Sequence, residues 1–177
     1  MHVIQPPTGQ KVNPSKTVLL IGYGNPGRGD DGLGPALAEA IQARDLTRVT
    51  VEIDYQLTVD HAAMIAAHDL VVFADAMIGL TTAFRFSDVD TGMAETLGSH
   101  QVTPQAALSL AKLLFGAAPP AWILAIAGHD FGEVKEGLSP PARRNLDLAT
   151  TFLLDWIAQT QAANWHQTAV PDQSHSP

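Results

Sequence analysis

Continuous apolar runs of strand length divide the chain into segments. Three of them span residues 17–24 (TVLLIGYG), 69–77 (DLVVFADAM) and 121–128 (AWILAIAG). Runs of this kind are typical of strands buried on both faces of a parallel sheet. Another strand is predicted at 50–56, and the alternating pattern of 83–89 predicts a less buried strand at a sheet edge.

Segments with helical periodicity lie between these strands. Thr103 and Pro104 are typical of an N-cap and a first helical residue, and Gly116 is typical of a helix end. Ser139 and Pro140 open a last amphipathic helix. The predicted helices cover residues 35–46, 59–68, 104–115 and 140 to about 158.

Strands that alternate with helices predict an α/β fold. We expect a three-layer sandwich, in which helices flank a mostly parallel, twisted sheet of about five strands. Residues 1–16 contain three prolines and little apolar periodicity, so they are predicted to be a loose leader. Residues 17–160 are predicted to be one α/β domain, and 161–177 a polar tail.

Composition and charge narrow the possible functions. The chain has 177 residues, of which 46% are hydrophobic and 16% charged, and this excludes a disordered protein. Ten Lys and Arg against eighteen Asp and Glu give a net charge of −8, which argues against nucleic acid as a partner. No secretory signal or long apolar run predicts contact with a membrane. We therefore expect a cytoplasmic protein.

The sequence contains no cysteine. Disulfide bonds, thiol nucleophiles and cysteine-ligated metals are thereby excluded. Any metal ion would have to be bound by His, Asp or Glu.

Charged and polar residues follow three of the apolar strands. Asp30 and Asp31 come after the strand at 17–24, and Asp75 lies near the end of the strand at 69–77. His129 and Asp130 follow the strand at 121–128. In an open parallel sheet the functional site lies outside the carboxyl ends of the strands. These residues are therefore the first candidates for chemistry.

A glycine-rich segment offers an alternative function. Glycines 22, 24 and 27 form a G-x-G-x-x-G sequence between a strand and a helix, which is associated with dinucleotide binding. Glu52 or Asp54 could then bind the ribose. Asp30 and Asp31 argue against this function, because carboxylates at a helix N-terminus repel a pyrophosphate. A nucleotide-binding or small-ligand module without catalysis remains the alternative.

The three candidate acids have different expected roles. Asp30 is predicted to N-cap the following helix, and Asp31 is predicted to be a ligand. Asp75 ends a strongly apolar strand, where a buried carboxylate is costly without a cation or several hydrogen bonds.

Two histidines could join these carboxylates at a transition metal. His100 lies in the loop SHQVTP before a predicted helix, and His129 directly follows a strand. Spacing alone does not decide between them. His61 and His68 belong to a short helix, and we expect them on its solvated face.

The segments GYGNPGRGDDGLGP, DYQLTVDHA, DLVVFADA, SHQVTP and GLSP, in this order, resemble the endopeptidases that mature nickel-iron hydrogenases. The resemblance covers roughly residues 17–157. It implies removal of a C-terminal extension from the hydrogenase large-subunit precursor after nickel insertion, with the nickel as the signal of completion. It also implies that Asp31, Asp75 and His100 are the catalytic and metal-contacting residues, which favours His100 over His129.

The resemblance implies a specific division of ligands. Two carboxylates and one imidazole form an incomplete shell, suited to nickel that the substrate already holds through its own cysteines. The only cofactor expected is this nickel, and no organic cofactor is expected. A chaperone that binds the precursor without cleaving it is a further alternative.

Overall fold

The structure is a computed structural model that describes residues 16–89, 102–132 and 134–166. These ranges contain a five-stranded sheet flanked by helices, which confirms the expected α/β sandwich. The strands are β1 (Val18–Tyr23), β2 (Val49–Asp54), β3 (Leu70–Met77), β4 (Phe84–Asp88) and β5 (Ala121–Ala127). The helices are α1 (Leu33–Gln42), α2 (His61–Ala66), α3 (Pro104–Phe115) and α4 (Pro140–His166).

The strands are arranged in the order β2-β1-β3-β5-β4. β1, β2, β3 and β5 are parallel, and β4 pairs antiparallel with β5 at the sheet edge. From β1 the chain crosses to β2 on one side and then returns to β3 on the other side. The junction of β1 and β3 is therefore the topological switch point, where open α/β sheets bind their ligands.

The two faces of the sheet carry separate hydrophobic cores. α1 and α4 pack on one face against residues such as Leu20 and Val72. α2 and α3 pack on the other face against residues such as Ile21 and Phe73. β1 and β3 are fully buried along most of their length because helices cover both faces, as their continuous apolar sequences predicted.

Helix ends agree with the sequence signals in part. The Thr103 side chain accepts a hydrogen bond from the Ala106 amide at 3.2 Å, and Gly116 ends α3 with φ 77°. α4 instead continues to His166, beyond its predicted end near residue 158, because residues 159–166 contain neither proline nor glycine. Within the described ranges, no helix has both the length and the apolarity to span a bilayer.

Two glycines allow α1 to lie directly on the sheet at the switch point. A Cβ on Gly22 in β1 would collide with the Gly34 carbonyl oxygen of α1. A Cβ on Gly34 would lie 2.5 Å from the carbonyl oxygen of Ala74 in β3. The helix therefore approaches both strands more closely than any residue with a side chain permits.

We predict that Gly34→Ala destabilises the protein by about 2–3 kcal/mol, because the added methyl group meets rigid backbone atoms. Urea unfolding measures this difference. Gln42→Ala, at an exposed position of the same helix, is the control and should change stability by less than about 0.5 kcal/mol. Equal stability of Gly34→Ala and wild type would contradict the close approach of α1.

Candidate active site

A row of polar side chains crosses the carboxyl edge of the sheet. Asp54 of β2 pairs with Tyr23 of β1, and the β1–β3 register places Tyr23 beside Asp75. Asp75 in turn pairs with Ala125 of β5. Residues of one cross-strand row point to the same face, so these side chains lie together on the face that carries α2 and α3.

Asp75 is the partly buried acid at the centre of this row. Its Oδ1 accepts a hydrogen bond from the Ala76 amide at 2.7 Å. Burial raises the pKa of Asp75 to about 6, and the charge of Asp31 adds to this rise, although bonding from Ala76 and Tyr23 opposes it. Burial also raises the pKa of Tyr23, so its hydroxyl stays protonated beside this carboxyl.

Asp31 is held close to Asp75 by a 3₁₀ turn at Gly29–Gly32, which precedes α1 and contacts β3. Its Oδ2 accepts a hydrogen bond from the Asn25 amide at 3.0 Å. Its negative charge contributes to the raised pKa of Asp75 in the neighbouring strand β3. Of the three residues that the family resemblance implies, Asp31 and Asp75 thus lie on neighbouring elements.

Asp30 does not cap the helix that follows it, so the predicted role is wrong. Gly32 occupies the N-cap position of α1, and no side chain caps that helix. Asp30 is completely buried, and its Oδ2 accepts hydrogen bonds from the His129 amide at 2.8 Å and the Asp130 amide at 2.9 Å. The amide and hydroxyl of Ser139 donate to the same carboxylate at 2.7 and 2.8 Å.

These bonds make Asp30 a connector between the β1–α1 loop and the β5–α4 loop. Ser139 in turn accepts a hydrogen bond from the Ala142 amide at 3.3 Å, which caps the first turn of α4. Burial alone would raise the pKa of Asp30, but the bonds from Ser139, His129 and Asp130 outweigh it and lower that pKa. Asp30 is consequently a charged structural group.

The glycine-rich loop uses its own amides internally. Gly24 donates to the Asp54 carbonyl at 3.2 Å, Gly27 to the Asn25 side chain at 2.9 Å, and Arg28 to the Asn25 carbonyl at 3.0 Å. The Asn25 amide donates to the Asp31 side chain. The amides of Gly29 and Asp30 donate to the carbonyls of Lys135 and Asp130, respectively. Every amide N–H from residue 24 to 30 is therefore satisfied within the chain, and none is left to bind a pyrophosphate.

The histidines are placed as follows. His100 lies outside the described residues, so its predicted role stays a prediction. The imidazole of His129 is exposed, and its backbone amide binds Asp30. Among the described residues, no three His, Asp or Glu side chains are grouped closely enough to hold a metal ion.

His61 is buried, with 3% exposure, so the expectation of a solvated position is wrong. Its Nδ1 accepts a hydrogen bond from the Thr58 amide at 2.9 Å, and its Nε2 lies 3.8 Å from Asp54 Oδ2. His68 contacts the Met64 carbonyl and the Thr50 hydroxyl and is half-buried. The sequence could not reveal the burial of His61, because it depends on how α2 rotates against the sheet.

Several solved structures with the same fold are described as hydrogenase maturation proteases. The hydrogenase-maturating endopeptidase HybD from E. coli matches with a TM-score of 0.64 at 18% identity, over 81% of this chain and 93% of that one. The [NiFe] hydrogenase maturation protease HycI from Thermococcus kodakarensis KOD1 matches with a TM-score of 0.63 at 20% identity, over 82% and 95%.

The hydrogenase 2 maturation peptidase from the Thaumarchaeota archaeon SCGC_AB-539-E09 matches with a TM-score of 0.59 at 19% identity, over 80% of this chain and 98% of that one. No protein-family model matches the sequence, and no curated protein does. At these identities the similarity establishes the fold. The fold implied by the sequence resemblance is therefore confirmed.

We predict that Asp30→Asn destabilises the protein by about 2–4 kcal/mol at pH 7, because an amide group would face backbone donors in place of a second carboxylate oxygen. Because the pKa of Asp30 is lowered on folding, its contribution is present above the unfolded pKa of about 4 and is lost as the pH falls. Urea unfolding at pH 7 and pH 3.5 should therefore show the difference shrinking in acid. An unchanged difference would contradict the role of the charge.

We predict the opposite effect for Asp75→Asn. The raised pKa of Asp75 means that folding takes up a proton between about pH 4 and pH 6, so wild-type stability falls as the pH rises through this window. The variant should be more stable than wild type by about 1–3 kcal/mol at pH 7 and equally stable near pH 4. Thermal and urea unfolding measure this, with Asp88→Asn on the exposed part of β4 as the neutral control.

Proposed function

We propose that the chain is an endopeptidase that removes the C-terminal extension of a nickel-loaded hydrogenase large-subunit precursor. The observation that carries this proposal is that the 3₁₀ turn bearing Asp31 contacts β3, the strand that bears Asp75, at the β1–β3 switch point. The fold shared with solved hydrogenase maturation proteases supports it.

The nickel belongs to the substrate in this proposal. Asp31, Asp75 and His100 contact it and thereby position the precursor, whose own cysteines supply the sulfur ligands. Oxygen and nitrogen donors suit such a partly ligated transition metal, and this chain has no cysteine that could compete for it. A precursor without nickel lacks this contact and is not bound in the productive position.

Hydrolysis adds one water molecule to the scissile carbonyl carbon, and the C–N bond then breaks to give a carboxylate and an amine. The Asp75 oxygen that does not contact the nickel takes the proton from this water and returns it to the leaving amine. Polarisation of the carbonyl by the substrate's nickel is the alternative route to the same products.

The same proposal also specifies the binding partner and the cellular compartment. The partner is a protein precursor, with neither nucleic acid nor membrane involved, and processing takes place in the cytoplasm. The nucleotide-binding alternative is disfavoured because the amides of residues 24–30 are already engaged.

The decisive test is incubation of the purified protein with nickel-containing and nickel-free precursor, followed by mass spectrometry. We expect only the nickel-containing precursor to lose its C-terminal extension. Asp75→Asn and His100→Ala should abolish cleavage, whereas His129→Ala should cleave normally.

Two outcomes would contradict the proposal. Full activity of Asp75→Asn would remove the carboxylate from the mechanism. Stable binding of the nickel-loaded precursor without any cleavage would identify a chaperone in place of a protease.

A further inference from the structure

Arg85 extends the polar row of the candidate active site toward the sheet edge. It lies in β4 opposite Ala125 of β5, and Ala125 is opposite Asp75 of β3. Arg85 and Asp75 therefore flank the same alanine on one face of the sheet.

The Arg85 side chain spans β5 and reaches β3. Its Nη2 donates to the Met77 Sδ at 3.3 Å, and Met77 follows Asp75 by two residues on the same face. Two residues of a strand advance by about 6.6 Å. Ala125 and Ala127 leave room for this path because their side chains are single methyl groups. The guanidinium consequently lies beside Met77, on the face of the sheet that also carries Asp75.

Toward the residues that the structure describes, the guanidinium makes this single hydrogen bond, so its other donors are not used by them. A thioether is a weak acceptor, and its contact with Nη2 occupies one of five N–H groups. Arg85 is exposed. The planar guanidinium can therefore donate hydrogen bonds to a planar oxygen-bearing group that enters the site from solvent.

We propose that Arg85 binds the scissile carbonyl oxygen of the substrate and stabilises the negative charge that develops on it. This inference rests on the proposed peptidase function. Addition of water moves the carbonyl π electrons onto oxygen, and cleavage of the C–N bond then leaves a carboxylate on the same group. Arg85 interacts with the oxygen at both stages.

The two carboxylates of the candidate active site create the need for a positive group such as Arg85. Asp31 and Asp75 attract a metal ion but repel an oxyanion. A positive group on the opposite side of the substrate carbonyl offsets that repulsion. Arg85 meets this requirement because β4 approaches the site from the strand edge, away from the 3₁₀ turn that carries Asp31.

The experiment compares Arg85→Met, Arg85→Lys and Arg44→Met in cleavage of the nickel-loaded precursor. Methionine keeps an unbranched apolar stem without the charge, and Arg44 is an exposed arginine after α1 that serves as the matched control. We expect Arg85→Met to lower kcat about 100-fold, as removal of one oxyanion donor does, with KM changed less than about threefold. Arg85→Lys should recover part of kcat, and Arg44→Met should match wild type. Urea unfolding should give the same midpoint for all four proteins.

Wild-type kcat in Arg85→Met would overturn the inference, and so would a raised KM with unchanged kcat, since that pattern belongs to a residue that only binds the ground state. Loss of activity in Asp75→Asn together with full activity in Arg85→Met would overturn the Arg85 role alone. Absence of cleavage by the wild-type protein would overturn the proposed function and the Arg85 role with it.

Discussion

The buried carboxylate of Asp30 is the interaction on which the site depends. It receives four hydrogen bonds, which come from the loop after β5 and from the residue that caps α4. Backbone bonds of Gly27 and Gly29 with Lys135, and of Asp30 with Asp130, reinforce the same junction. Because Asp31 is the next residue along the chain, fixing Asp30 also fixes where Asp31 meets the sheet. Stability and the placement of Asp31 are thus coupled through one group.

Asp30 and Asp75 show that the same residue type has different roles in different environments. Asp30 and Asp75 are both removed from solvent to a large degree, yet their pKa values move in opposite directions. Hydrogen bonds outweigh burial at Asp30, so its charge stabilises the fold. Burial outweighs hydrogen bonding at Asp75, so its charge is costly until a proton or a cation arrives. A destabilised carboxylate at a switch point is the kind of group that carries chemistry.

The glycine-rich loop illustrates how a local sequence pattern acquires a different meaning in its fold. In a dinucleotide-binding protein such glycines expose amides to a pyrophosphate. Here the same amides bind Asn25, Asp31 and the loop after β5. Close packing of Gly22 against Gly34 keeps the helix on the sheet, so the glycines serve the approach of α1 and the geometry of the acids.

Local sequence patterns predicted the order of strands and helices, the edge position of β4 and the capping of α3, because apolar periodicity and turn chemistry are local properties. It also singled out Asp31 and Asp75, since acids at strand ends stand out from apolar runs. The folded chain, and no local pattern, established that Asp30 joins distant loops, that His61 is buried and that Arg85 reaches β3. Each of these depends on contacts between residues far apart in the chain, which local patterns do not encode. β4 pairs with β5 although α3 separates them along the chain. This pairing places the exposed residue Arg85 near the candidate active site.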